Sequence, residues 1–220
     1  MQKRVALIGV LGIFLACQTS MAGFVTVSNP GDSLPGGASY VSGTTNISIP
    51  GAEFDILNSV SDARLGITFS TPMMVLDVPD GWGSWNSPPF TESDTPRVLW
   101  TQGPSQVTLS FDTAVQAFGF EAQPDQFGPF TITAAFFSGP DEVGSIVRDV
   151  DGNAGALLFA GAVTDTTPLI TSVQISTGGQ DFAIAQLRYE LSAVPEPSSF
   201  VLALSGALIT IGAGQFCRRR

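Results

Sequence analysis

Val107-Thr108-Leu109-Ser110-Phe111 is followed by Phe118-Gly119-Phe120-Glu121-Ala122 and then by Phe130-Thr131-Ile132-Thr133-Ala134-Ala135-Phe136, and all three stretches keep one rhythm. Successive side chains of a strand point to opposite faces, so a period of two marks a strand with one face in a core. Val107, Leu109 and Phe111 share a face; so do Phe118, Phe120 and Ala122, and so do Phe130, Ile132, Ala134 and Phe136. Gly, Pro and Asp residues break the chain between them, and no helical stripe competes.

Outward from that centre, further strands are predicted at Ser145 to Val150, Ala156 to Ala160, Ile170 to Ser176 and Asp181 to Leu191. The breaks are Asp151-Gly152-Asn153, Asp165 to Pro168 and Gly178-Gly179. The last strand changes phase: Phe182 and Ile184 have one parity, while Leu187, Tyr189 and Leu191 have the other. A β-bulge near Ala185 and Gln186 lets both sets face inward. Toward the N-terminus, Phe24 to Ser28, Thr45 to Ile49, Leu65 to Ser70 and Met73 to Val78 read as strands, Glu53 to Arg64 as a short helix or another strand, and Asn29 to Gly37 and Pro79 to Pro96 as Gly/Pro-rich loops. The expected fold is all-β, an antiparallel β-sandwich of jelly-roll-like form over residues 23–193.

All 19 acidic residues lie between Gly23 and Pro197, where only Arg64, Arg97, Arg148 and Arg188 oppose them, a net charge of −15. Such a surface repels nucleic acid and anionic lipid and keeps the body in solution. Both cysteines, Cys17 and Cys217, stand in the end segments, so burial and not a disulfide must hold the body.

The chain has no histidine, and the body has neither cysteine nor lysine. That excludes a Ser-His-Asp triad, a cysteine nucleophile, a Schiff-base lysine and a histidine zinc site. Carboxylates remain. Glu92, Asp94 and Glu121 are candidates for a glycosidase-like pair, a weak signal in so acidic a chain, and the expectation is a protein that is not an enzyme.

Gly81-Trp82-Gly83-Ser84-Trp85-Asn86-Ser87-Pro88-Pro89-Phe90 places two indoles and a phenyl in a loop. Exposed, Trp82, Trp85 and Phe90 would stack on sugar rings while Asn86, Glu92 or Asp94 bind hydroxyls; folded back, the indoles would seal the sandwich. Asp149, Asp151 and Asn153 put oxygens at alternate positions beside Gly152, a calcium-like spacing without the acidic residue that completes an EF-hand loop. The alternative for Asp151-Gly152 is a tight hairpin turn. No other cofactor is expected.

The two ends carry an address. Met1-Gln2-Lys3-Arg4, the apolar Val5 to Ala16 and the small residues Ser20 and Ala22 form a signal peptide over residues 1–22, with Leu15-Ala16-Cys17 readable instead as a lipoprotein box. At the other end, Pro195-Glu196-Pro197 precedes the apolar run Phe200 to Phe216, then Cys217 and Arg218-Arg219-Arg220. At 1.5 Å per residue that helix would span roughly 25 Å, the short end of a bilayer crossing, with the arginines as its cytoplasmic stop.

Residues 194–220 resemble the PEP-CTERM sorting signal, with Cys217 a small departure. The resemblance implies an exported protein of a Gram-negative bacterium, held in the membrane by its C-terminal helix until an exosortase-type protease processes it, and destined for the cell envelope or an extracellular polysaccharide matrix. The body also resembles the β-rich ectodomains that precede such tails, at Ala117-Phe118-Gly119-Phe120-Glu121 and Asp181-Phe182-Ala183-Ile184. Related ectodomains often carry an Asp after that Ile; here Ala185 and Gln186 stand instead, which removes one ligand from any cation site there. The expected roles are glycan contact, a structural spacer or, as the competing class, a carboxylate-dependent enzyme acting on polysaccharide.

Overall fold

A computed structural model describes residues 23–164 and 168–192; the leader and the sorting tail lie outside the described residues, as do three residues of the predicted break at Asp165 to Pro168. The strands are β1 (Phe24–Val27), β2 (Thr45–Asn46), β3 (Ile56–Ser61), β4 (Gly66–Asp77), β5 (Arg97–Trp100), β6 (Gln106–Val115), β7 (Ala117–Pro124), β8 (Pro129–Ser138), β9 (Asp141–Asp151), β10 (Leu157–Val163), β11 (Ile170–Ser176) and β12 (Phe182–Glu190). The short helix α1 (Tyr40–Gly43) is capped by Ser39, whose Oγ accepts the Ser42 N–H at 3.3 Å.

Every strand pairing is antiparallel, as expected. The strands form one sheet where two packed sheets were expected: one unbroken hydrogen-bonded path runs β1-β10-β7-β12-β5-β4-β6-β11-β8-β9 and rolls over on itself like a flattened barrel. The turning point is β4. Its first half pairs with β6 and its second half with β5, so the two predicted strands around Pro72 are one strand that changes partners there. Proline has no N–H for a ladder and suits that place.

Where the ends of the rolled sheet meet, side chains close the seam. The Phe24 ring lies 5.1 Å from that of Phe136, and Arg148 of β9 donates to the Val27 and Ser28 carbonyls at 3.2 Å while resting 5.7 Å from the Phe159 ring. A Cβ at Gly144 or Gly161 would come within 2.2 Å of the Phe24 ring, so only glycine fits there.

The inward faces of the strands make one core. The predicted faces of β6, β7 and β8 lie in it, apart from Phe111 and Phe130, which are half-buried. In β12 the register slips between Ala185 and Arg188, and Gln186 takes φ +51°. Phe182, Ile184, Leu187 and Tyr189 consequently all face the core, as the phase change predicted. Glu53 to Arg64 contains a strand and no helix. The strand β5 was not anticipated, and the Asp-Gly segment is no hairpin, since β9 pairs with β8 while β10 pairs with β7 and β1.

Candidate functional site

Strand β7 lies between β10 and β12, and all eight of its residues are buried. Phe118, Phe120 and Ala122 point into the core, whereas Ala117, Gly119, Glu121 and Gln123 stand on the outer face and should meet water. Two loops cover them. Residues 28–44, with Leu34 and Tyr40, pack on Ala117, Leu158, Ala160 and Ala162. Residues 78–96 lay Trp82 and Trp85 on Leu76, Val98, Ala183 and Ala185, outward apolar residues of three strands. Each large side chain removed from water contributes about 2 kcal/mol, enough to hold a Gly/Pro-rich loop in one place.

Beneath those loops several polar groups are paired. The Trp82 Nε1–H donates to Gln123 Oε1 at 3.0 Å and the Trp85 Nε1–H to Glu121 Oε2 at 2.7 Å. Glu121 Oε1 accepts the backbone N–H of Glu92 at 2.6 Å. Arg188, on β12, donates through Nε to Glu92 Oε1 at 2.7 Å and through Nη1 to the carbonyls of Val41 and Thr44 at 3.1 and 3.2 Å, so one guanidinium ties both loops to the sheet. Burial pushes the Glu121 carboxyl up to about 7; the Glu92 charge adds to that rise, against the pull of the two N–H donors and Arg188. Above Gly119 the buried Tyr40 hydroxyl has no hydrogen-bond partner, and burial, followed by the Glu92 charge, raises its pKa well above the ordinary tyrosine value.

These contacts correct the open aromatic platform. Trp82 and Trp85 are only 6% and 8% exposed, because the outward face of the central strands needs a cover; Phe90 is 50% exposed. Asn86 Oδ1 accepts the neighbouring Ser87 N–H, and Glu92 is taken up by Arg188. Of the candidate carboxylates, Glu92 and Glu121 meet through one backbone N–H while Asp94 stands apart on the surface. Glu121 has no exposed area at all, so no substrate reaches it in this arrangement.

Of the calcium-like residues, Asp151 and Asn153 meet each other while Asp149 is bonded elsewhere. Asp149 Oδ1 accepts the Thr131 hydroxyl at 2.7 Å, and Asp151 Oδ1 accepts both the backbone and side-chain N–H of Asn153 at 2.9 Å. Among the described residues, no group of three or more acidic or cysteine side chains is placed to hold a metal ion. Nor is any helix among them long and apolar enough to cross a membrane.

Two surface clefts flank the covered strand. One, of about 360 Å³, lies between the loops and is lined by Pro30, Ser39, Val41, Pro89, Thr91 and Glu92. The other, of about 210 Å³, is lined by Trp82, Ser84, Gln123, Asp125 and Phe127. Sequence reading missed Phe127, Tyr40 and Arg188. Two of them had a signal: Phe127 is a large apolar residue in a turn, and Arg188 is a rare cation between two core residues of a strand.

No protein-family model matches the chain, and no curated protein does. Among solved structures it is similar to TmCBM61, solved in complex with β-1,4-galactotriose, at 11% identity over 59% of this chain and 90% of that one, with a TM-score of 0.36. It is also similar to the enzymatically active domain of bacteriophage CBA120 tailspike protein 4, at 16% identity over 59% of this chain and 19% of that one, with a TM-score of 0.28. At these scores neither likeness extends to a ligand or an activity.

Proposed function

We propose that this is an exported, surface-sorted, non-enzymatic protein of a bacterial cell envelope or extracellular polysaccharide matrix, whose jelly-roll-like body contacts glycan. The observation that carries the reading is the order at the C-terminus: Pro195-Glu196-Pro197, the apolar Phe200 to Phe216, and Arg218 to Arg220. An N-terminal leader, an acidic body without lysine and an all-β architecture agree with it. Replacing Pro195, Glu196 and Pro197 together by alanine tests it in the native cell. A larger, membrane-bound form is expected, because the exosortase-type protease loses its site; normal release of the variant would overturn the sorting assignment.

One observation favours the competing enzyme class: a carboxyl raised to about 7 beside a second carboxylate resembles an acid/base pair. Its burial and its two N–H partners favour a structural role instead. Release of reducing sugar from envelope glycans would support the enzyme, saturable binding without turnover supports the proposal, and the absence of both leaves a structural spacer.

A further inference from the structure

We infer that the cleft between Trp82 and Phe127 binds a neutral glycan chain that presents a flat C–H face. This rests on the glycan-contacting role proposed above and gives it a place and a ligand class. Phe127 sits in the turn between β7 and β8 and is 81% exposed, more than any other large apolar side chain among the described residues. Packing does not require a phenyl there, since the ring touches little of the fold, and a turn would accept a polar residue with less apolar surface in water.

The turn beneath the ring is braced. The Gly152 N–H donates to the Gly128 carbonyl at 2.9 Å, and the Asp125 N–H donates to the Asp181 carbonyl at 3.0 Å. A Cβ on Gly152 would lie 2.1 Å from the Gln126 carbonyl oxygen, so the two loops are in direct contact. A ring on a braced turn loses little freedom when a ligand stacks on it.

Beside the ring the cleft offers polar groups in fixed positions. Gln123 is nearly buried, held by the Trp82 indole N–H at 3.0 Å and by donation to the Gly152 carbonyl at 2.9 Å. The Ser84 hydroxyl and Asp125 carboxylate are exposed at the rim. An apolar wall with a few hydroxyl-binding groups is the chemistry of sugar recognition, and about 210 Å³ takes about one sugar ring, leaving the rest of the chain to cross Phe127. The net charge of −15 over the body disfavours acidic polysaccharides, which selects a neutral one.

The experiment titrates the full chain, kept in a detergent without a sugar headgroup, with cellohexaose, whose equatorial hydroxyls leave both ring faces apolar, and with alginate as the anionic counterpart. Saturable binding of cellohexaose and none of alginate is expected. Phe127→Ala should weaken it about fivefold to tenfold with an unchanged melting temperature, and Phe90→Ala should leave it unaltered. Full binding by Phe127→Ala, or loss with Phe90→Ala alone, overturns the site but not the glycan role. Preference for alginate overturns the ligand class. Absence of binding to both glycans overturns the inference and removes support from the glycan role, while leaving the sorting assignment intact.

Discussion

Trp85 donates its indole N–H to one oxygen of Glu121 at 2.7 Å, and the other oxygen of the same carboxyl accepts the backbone N–H of Glu92 at 2.6 Å. A single side chain on the outer face of β7 thus fixes both limbs of the loop that covers it. That arrangement makes the cover part of the fold.

Glu121 gives the protein a pH-dependent stability. Its carboxyl titrates near 7 when folded and near 4.5 when unfolded, so between those values the folded state holds the proton that the unfolded state has lost. Stability therefore falls as pH rises through that window, by about 3 kcal/mol at most for this group, and levels off above it. Urea midpoints at pH 5 and pH 8 measure the fall. In Glu121→Gln the dependence should flatten, with a general loss of about 1 to 3 kcal/mol because the amide offers one acceptor to two N–H donors. A slope unchanged in Glu121→Gln would mean another group titrates.

Arg188 should be among the most sensitive residues of the body. Its removal strands the nearly buried Glu92 carboxylate and frees the Val41 and Thr44 carbonyls, a cost of about 3 kcal/mol or more. Arg188→Lys should recover only part of it, since an ammonium cannot reach three acceptors as a fork does. A double-mutant cycle with Glu92→Gln should show coupling; additive losses would deny the pairing.

Tyr40→Phe should be neutral or stabilising. The hydroxyl is buried above Gly119 without a partner, and removing an unsatisfied polar group of that kind regains up to about 1 to 3 kcal/mol. Thermal melts of the two proteins decide it, and a destabilised variant would show that the hydroxyl is bonded.

The β12 bulge makes two forecasts at one residue. Gln186→Gly should change stability by less than about 1 kcal/mol, because relief of φ +51° offsets the lost contact to Asn46. Deleting Gln186 should leave the fold intact, because it removes the extra residue and brings Phe182, Ile184, Leu187 and Tyr189 to a single parity on the core face. Circular dichroism should keep the sheet signal; its loss would show that the bulge is required for more than phase.

The sequence alone determined the strand period from Val107 to Phe136, the phase change in β12 and its bulge, the acidity of the body and the exclusion of most catalytic chemistry. These are local properties: alternation records one strand's relation to one core, and charge and composition are sums over the chain. Tertiary structure decided the rest. β5 is only four residues long and escaped a periodic reading, and Pro72 looked like a break until β4 was seen to change partners there. The burial of Trp82 and Trp85 depended on which loop crosses the outer face of β7. The meeting of Tyr40, Glu92, Glu121 and Arg188 depended on a sheet that rolls distant segments together. Local periodicity tells a strand that it has an inside; only the path of the whole chain tells it what lies over its other face.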